Sequence, residues 1–125
     1  MKLTGKWKYR ENYGYGVAEG EVVLQQEKNK LSGRIIFTDK TEGDGTSMIQ
    51  EFLSGEIEGL KVRIQAREFD VIYSEHKIEY KLDNWFGILV DKVTIKGISM
   101  DEQGIEGYFV FEKLSLIHIS EPTRL

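Results

Sequence analysis

Apolar and polar residues alternate along most of the chain with a period of two. In "LKVRIQARE", Leu60, Val62, Ile64 and Ala66 alternate with charged or amide side chains. This alternation is typical of a β-strand with one buried and one solvated face. The pattern predicts eight strands, at residues 5–11, 17–27, 31–39, 47–57, 60–68, 76–82, 85–98 and 104–113.

The fourth predicted strand has a helical alternative. Ser47 and Gln50 would form a capping box, and Gly55 would end the helix. The strand is preferred because "LSGEI" at 53–57 repeats "LSGRI" at 31–35. Related patterns place four glycines inside strands, where glycine commonly marks a bulge or a bend at a barrel corner. These glycines are Gly33, Gly55, Gly97 and Gly107.

The predicted fold is all-β, a single antiparallel up-and-down meander barrel of about eight strands. With eight strands, the last runs antiparallel to the first, so the sheet can close and lose both exposed edges. The interior of such a barrel is either filled by side chains or holds one small ligand. The barrel domain is predicted to span residues 1–113.

The last twelve residues, 114–125, read "LSLIHISEPTRL", and the strand-like alternation does not continue through them. The stretch resembles the in-frame translation of a transposon-end adapter used in sequencing libraries. It is therefore interpreted as a non-native tail and left out of the functional predictions. His76 is then the only histidine of the predicted domain.

The predicted connections differ in length between the two ends of the barrel. One end has the short connections "EKNK", "EG" and "DN", and the other has "NYGYG", "KTEGDGTS", "FDVIYSE" and "MDEQ". Binding sites usually lie at the long-loop end. That end would gather acids and tyrosines, namely Glu42, Asp44, Asp70, Glu75, Asp101, Glu102, Tyr13, Tyr15 and Tyr73. Glu11 and Glu68 are predicted to extend the inward faces of strands 1 and 5 there.

An acidic, tyrosine-rich mouth favours a cationic or amine-bearing ligand through charge and cation–π attraction. The alternative is that these acids are ordinary solvated loop residues.

The bulk composition narrows the classes of partner and compartment. A net charge of −4 gives no basic stripe, so nucleic acid is not an expected partner. No apolar run approaches the roughly 20 residues needed to span a bilayer, and the start lacks the apolar core of a signal peptide. The absence of cysteine excludes disulfides and thiolate chemistry. A cytoplasmic protein is expected.

The sequence contains no convincing motif for catalysis or metal binding. His76 and Glu79 would point to opposite faces of a strand, and a single histidine excludes a multi-histidine zinc site within one chain. The segment 39–50 fails the EF-hand pattern. A Glu11–Glu68 carboxylate pair of the glycosidase type has no supporting constellation. The prediction is a protein without enzymatic activity, metal or cofactor.

"GKW" at 5–7, which opens the first strand, resembles the G-x-W start of the calycin barrels, the lipocalins and avidins. The resemblance implies a ligand-binding barrel in which Trp7 closes the narrow end near a late basic residue. The chain departs from the lipocalin pattern elsewhere. It has "FTDK" at 37–40 instead of a T-D-Y motif, and no arginine follows strand 8 in the predicted domain.

The preferred hypothesis is a barrel that binds a small amphipathic ligand at its long-loop mouth. A cationic ligand is one of the alternatives. Trp7, Tyr9 and Tyr80 would supply apolar contacts, and Glu11 and Glu68 would supply polar recognition. Tyr13 would complete the predicted site from the first loop. The alternative is a solid barrel that acts as a protein interaction or assembly module through outward apolar residues such as Ile36 and Val110. The oligomeric state is left open.

Overall fold

The computed structural model describes residues 2–43, 45–76 and 80–114, and these form one closed antiparallel β-barrel. Each strand pairs with the next in sequence, and β8 pairs with β1. The strands are β1 Gly5–Asn12, β2 Gly16–Glu27, β3 Lys30–Thr41, β4 Gly45–Glu58, β5 Lys61–Ser74, β6 Asp83–Asp91, β7 Thr94–Asp101 and β8 Glu106–Lys113. The predicted fold class is confirmed, and the fourth segment is a strand.

The predicted strand bounds between residues 76 and 98 are wrong. The predicted strand 76–82 is not a strand in its described residues, 76 and 80–82, and residues 77–79 lie outside the described part. The predicted long strand 85–98 is two strands, β6 and β7, joined by a turn at Lys92 and Val93. Asp83 and Asn84, predicted as a hairpin turn, begin β6.

A local hydrogen bond explains the turn between β6 and β7, which the apolar alternation did not predict. The amide of Val93 donates to the Asp91 carboxylate at 2.9 Å. An aspartate that bonds the backbone two residues on forms an Asx turn, which reverses the chain without glycine or proline. The apolar alternation continues across it, so residues 85–98 gave the pattern of one strand.

The two ends of the barrel differ as predicted, although the loop bounds shift. At the lower end the connections are two residues long, at 28–29, 59–60 and 92–93. At the upper end they span 13–15, 42–44, 75–82 and 102–105. The segment 69–75, predicted as a loop, is β-strand as far as Ser74.

The lower half of the lumen is filled by apolar side chains. Trp7 is fully buried, and its indole N–H donates to the carbonyl of Leu3 at 2.9 Å. Leu3 is also fully buried, and its amide donates to the Gln26 side chain at 2.7 Å. The segment before β1 therefore folds under the barrel and closes its lower end.

Lys113, the last residue of β8, covers the indole of Trp7. Its ammonium nitrogen lies 5.8 Å from the ring centroid. This distance is within the range of a cation–π interaction. A late basic residue thus packs near Trp7, as the calycin resemblance implies, but it is a lysine inside the last strand.

Four strand glycines allow adjacent strands to approach closely. At each of them a Cβ atom would lie within 2.2 Å of a carbonyl oxygen on the paired strand. These glycines are Gly20, Gly33, Gly55 and Gly97. No side chain fits at such a distance, so these positions require glycine and mark sharp bends of the wall. Of the glycines predicted to mark corners, Gly107 differs, because its Cβ would meet side chains.

A bulge in β5 reverses the side-chain alternation and corrects the prediction for Glu68. Leu53 pairs with Ala66, but the preceding residue Phe52 pairs with Glu68, so Arg67 is an extra residue. One inserted residue exchanges the two faces of the strand beyond it. Glu68 is therefore exposed and not inward, and Phe69 lies on the face shared with the fully buried Glu51.

The predicted non-native tail and the predicted absence of a membrane-spanning segment are considered separately from the barrel. Residues 115–125, most of the segment interpreted as an adapter-derived tail, lie outside the described residues. Within the described ranges, no helix has the length and hydropathy needed to cross a membrane.

Candidate functional site

A cavity of about 230 Å³ opens at the long-loop end of the lumen. Its lining is rich in two kinds of side chain. The tyrosines are Tyr9, Tyr13, Tyr15 and Tyr80. The carboxyl groups belong to Glu11, Asp39, Asp83 and Asp101. Among the described residues of this lining, Lys81 contributes the one ammonium group. The upper half of the barrel is thus polar and partly hollow, whereas the lower half is packed.

Four of the six predicted ligand-binding residues line this cavity: Tyr9, Glu11, Tyr13 and Tyr80. The other two do not. Trp7 lies in the packed lower half, and Glu68 is on the outer face of β5. The structure therefore brings four of the predicted residues to one cavity at the long-loop end and places Trp7 and Glu68 elsewhere, and ligand binding by the four stays a prediction.

Glu11 is the central anion of the cavity. It accepts hydrogen bonds from the Tyr9 hydroxyl at 2.5 Å, the Ser99 hydroxyl at 2.6 Å and the Trp85 indole at 3.3 Å. Burial raises the pKa of its carboxyl, while the bonds from Ser99, Tyr9 and Trp85 lower it. Glu11 forms no ion pair with any residue that the structure describes.

The local sequence explains why this carboxylate faces the lumen. Trp7, Tyr9 and Glu11 alternate along β1, so all three lie on the inward face. Gly107 on β8 leaves room for the glutamate, because a Cβ there would lie 2.7 Å from Glu11 Oε2.

A second acidic group lies beside the first. The Tyr80 hydroxyl is 2.6 Å from Glu51 Oε1 and 2.6 Å from Asp83 Oδ2. Glu51 is fully buried on β4, and Asp83 opens β6. Burial raises the pKa of both carboxyls, and for Asp83 the charge of Glu51 raises the pKa further.

The rim of the cavity contains a tyrosine-centred group. The Tyr13 hydroxyl donates to Asp39 and lies 2.7 Å from the Thr41 hydroxyl. Burial, followed by the bond to Asp39, raises the pKa of Tyr13. Tyr15 packs edge-on against Tyr13 with a centroid distance of 5.2 Å. The first loop is thereby joined to the upper end of β3.

The floor of the cavity is aromatic. Tyr9 packs edge-on against Phe37 and Phe111, each with a centroid distance of 5.6 Å, and against Trp85 at 6.4 Å. Tyr80 packs against Phe69 at 5.1 Å. These contacts fix both tyrosine rings, so their hydroxyls are held toward the carboxyl groups.

Sequence reasoning missed three acids of this site, Asp39, Glu51 and Asp83. Two had a usable signal, because Asp39 continues the inward alternation of Ile35 and Phe37, and Glu51 stands between Ile49 and Leu53. Asp83 had none, since it was placed in a turn that does not exist.

Several residues predicted at the mouth do not line the cavity. Glu42, Asp70, Tyr73, Glu75 and Glu102 are exposed. Asp44 lies outside the described residues. His76 is exposed. Among the described residues, no group of three histidine or carboxylate side chains is arranged to hold a metal ion.

Comparison with known proteins identifies the fold and no family. No family model matches the chain, and no curated protein does. The structure is similar to that of mFAP1, a redesigned β-barrel bound to DFHBI, with a TM-score of 0.65 and 10% identity over 89% of this chain and 94% of that chain. A de novo designed fluorescence-activating β-barrel gives a TM-score of 0.56 and 14% identity over 90% of this chain and 94% of that chain.

A third similar structure is mFAP0, another redesigned β-barrel bound to DFHBI. Its TM-score is 0.58, with 10% identity over 89% of this chain and 98% of that chain. These likenesses confirm the eight-stranded barrel. Membership of the calycin family stays a prediction.

Proposed function

We propose that this barrel is a non-enzymatic binding protein for a compact, cationic small molecule, which it holds in the cavity at its long-loop end. The observation that carries the proposal is the half-buried Glu11 carboxylate in the lumen. Three donors orient it, and no described residue neutralises it through an ion pair. An anion that is partly withdrawn from water costs free energy unless its charge is balanced, so this site favours a positively charged ligand.

The rest of the cavity supports the same chemistry. Among the lining residues that the structure describes, there are four carboxyl groups and one ammonium group. Tyrosine faces add cation–π attraction for an ammonium or guanidinium group. A volume of about 230 Å³ is below the 300–1,000 Å³ of typical drug-sized pockets, so the ligand is expected to be small.

The structural neighbours support the feasibility of a small-molecule site in this fold. Two redesigned barrels of the same architecture are bound to DFHBI. With 10% identity, neither neighbour indicates which ligand this chain takes. The chemistry of the ligand is inferred from Glu11 and its surroundings alone.

The test uses a pair of probes that differ in charge. Phenethylamine is protonated at neutral pH, and 2-phenylethanol is its neutral counterpart of similar size. Calorimetric titration is expected to show binding of phenethylamine at least about tenfold tighter than binding of the alcohol, a difference of about 1.4 kcal/mol. Glu11→Gln should abolish this preference, whereas Glu68→Gln, a matched change of an exposed glutamate, should preserve it.

Three results would overturn the proposal. They are the absence of amine binding, equal affinity for amine and alcohol, and a preference for the amine that survives Glu11→Gln. A broader set of paired amines and alcohols, screened by ligand-observed NMR, guards against a poor fit of one scaffold. If the alcohols bind as often as the amines, charge is not the basis of recognition.

An interaction module is the second candidate, and one observation favours it. Phe86, Ile98 and Tyr108 are opposite one another on the outer faces of β6, β7 and β8, with exposures of 48%, 46% and 76%. The outward residues named from the sequence, Ile36 and Val110, are half-buried and contribute less surface. Sedimentation of the protein with and without Ile98→Lys tests this candidate, which predicts self-association that the substitution removes.

A further inference from the structure

The Tyr80 hydroxyl makes two short contacts with carboxyl oxygens, and its own proton can account for only one of them. The hydroxyl oxygen is 2.6 Å from one oxygen of Glu51 and 2.6 Å from one oxygen of Asp83. A phenol has one proton and can donate it to only one of these carboxyls. The other short O–O contact needs a proton of its own, because two oxygens that share no proton repel at this distance. This geometry indicates that one of the two carboxyls is protonated.

Asp83 is the better candidate for the protonated group. Burial and the charge of Glu51 both raise the pKa of its carboxyl. Glu51 is stabilised as the carboxylate, because it accepts bonds from the Tyr80 hydroxyl and, at 3.5 Å, from the Asp83 amide. Asp83 also lines the cavity, whereas Glu51 is fully buried behind it.

The other titratable groups around this pair are mostly acidic. The charge of Glu11 on β1 adds to burial in raising the pKa of both carboxyls. Burial, followed by the charges of Glu11 and Asp83, raises the pKa of Tyr9 on the same strand. Asp39 on β3, Asp101 on β7 and the ammonium group of Lys81 complete the lining of the cavity. Glu102 accepts a bond from the amide of Leu82, next to Asp83.

We propose that a cationic ligand entering the cavity displaces the proton of the Glu51–Asp83 pair, so that ligand uptake and proton release are coupled. This inference rests on the proposed function. The ligand enters as a protonated amine, the O–H bond of the carboxylic acid breaks, and the proton passes to solvent. The site then holds one additional carboxylate and one ammonium, and its net charge is unchanged.

Coupling of this kind predicts a pH-dependent affinity. Wherever one proton is released per amine bound, affinity rises about tenfold for each unit of pH. The dependence ends at the pH at which the empty site has already lost its proton. Asp83→Asn mimics the protonated acid and cannot ionise, so it should bind phenethylamine with an affinity independent of pH over the same range.

The first measurement needs no ligand. Infrared spectra of the free protein at neutral pH are expected to contain the carbonyl band of a protonated carboxylic acid. The band should disappear in both Asp83→Asn and Glu51→Gln, because either change leaves one carboxyl that the Tyr80 hydroxyl can satisfy. Glu68→Gln is the control and should retain it. Absence of the band in the wild-type protein overturns the inference, whatever the ligand.

The second measurement counts protons. Phenethylamine is titrated calorimetrically in buffers of different ionisation enthalpy, and release of about one proton per amine is expected. Binding without proton release overturns the coupling and leaves the proposed function standing. Failure of any amine to bind overturns both the coupling and the proposed function. In that case the infrared band, if it is present, still supports a protonated carboxyl in the Glu51–Asp83 pair. Unchanged proton release in Asp83→Asn also overturns the assignment.

Discussion

The side chains of Ser99 and Glu11 meet across a strand that separates them. The serine hydroxyl on β7 donates to Glu11 Oε2 at 2.6 Å, although β8 lies between β7 and β1 in the barrel. The contact passes over Gly107, which pairs with Ser99 and has no side chain to obstruct it. A Cβ at position 107 would lie 2.7 Å from Glu11 Oε2 and 3.1 Å from Ser99 Oγ.

Gly107→Ala is therefore expected to break the bond between Ser99 and Glu11. The added methyl group displaces a carboxylate that is already held by Tyr9 and Trp85. The loss should be about 1–3 kcal/mol of the free energy of unfolding, the usual cost of an unsatisfied buried polar group. Urea denaturation measures it. In a Ser99→Ala background the same substitution should cost less, since the bond is already absent, and an equal cost would contradict this explanation.

Replacements of Glu11 should separate its charge from its hydrogen bonds. Glutamine can still accept from Tyr9 and Trp85 through its carbonyl and can donate to Ser99, so Glu11→Gln should change the free energy of unfolding by no more than about 1 kcal/mol. Glu11→Leu leaves three buried donors without an acceptor, each at a cost of about 1–3 kcal/mol. Chemical denaturation of both variants tests this ordering. Equal stability of the two would show that the bonds contribute nothing.

The raised pKa of Asp83 predicts a specific dependence of stability on pH. A carboxyl whose pKa is higher in the folded than in the unfolded protein stabilises the fold most below its unfolded pKa, about 4. That contribution is lost as pH rises toward the folded pKa, by up to about 1.4 kcal/mol per pH unit. Asp83→Asn removes this loss. Its stability relative to the wild type should therefore increase from pH 4 to pH 8 in denaturation series.

Glu56 provides a control of opposite sign for that experiment. A hydrogen bond from Arg63 and the charge of that guanidinium lower the pKa of the partly exposed Glu56 carboxyl. Its contribution to stability is present above the unfolded pKa and disappears as pH falls through the folded one. Glu56→Gln should therefore reduce stability at neutral pH and have no such effect in acid. A parallel trend for both variants would refute the assignment to Asp83.

Removing the charge of Lys113 should weaken the closed end of the barrel. Its ammonium nitrogen is 5.8 Å from the Trp7 ring centroid and 3.3 Å from the Lys2 carbonyl oxygen. Lys113→Met keeps the apolar stem and loses the cation–π contact, with an expected cost of about 0.5–1 kcal/mol. Thermal unfolding followed by tryptophan fluorescence measures it. Lys92→Met, in the exposed β6–β7 turn, is the matched control and should have no comparable effect.

Alternation along the chain was sufficient to predict the closed barrel, its open end and most of one side of the site. Tyr9 and Glu11 could be placed in the lumen because β1 alternates without interruption from Trp7 onward. Short and long loops were also visible in the sequence, and they identified the end at which the cavity opens.

The errors arose at two kinds of feature. One is an inserted residue that exchanges the inward and outward faces of a strand, and the other is a turn stabilised by a side-chain hydrogen bond. Arg67 adds a residue to β5, so Glu68 faces outward and Phe69 takes its expected face. The Asx turn at Asp91 has no glycine or proline to reveal it. Because that turn was missed, Asp83 was assigned to a loop. These features depend on pairing with a neighbouring strand or on a single hydrogen bond, and neither changes the pattern of apolar residues.

The strand glycines have a consequence for how this protein can change over evolution. At Gly20, Gly33, Gly55 and Gly97 any side chain would strike the backbone of the adjoining strand, so these sites constrain the circumference of the wall. The cavity is lined entirely by other residues. The residues that fix the shape of the barrel wall are thus distinct from those that line the cavity. Selection could alter ligand preference step by step at the mouth while the scaffold stays constant.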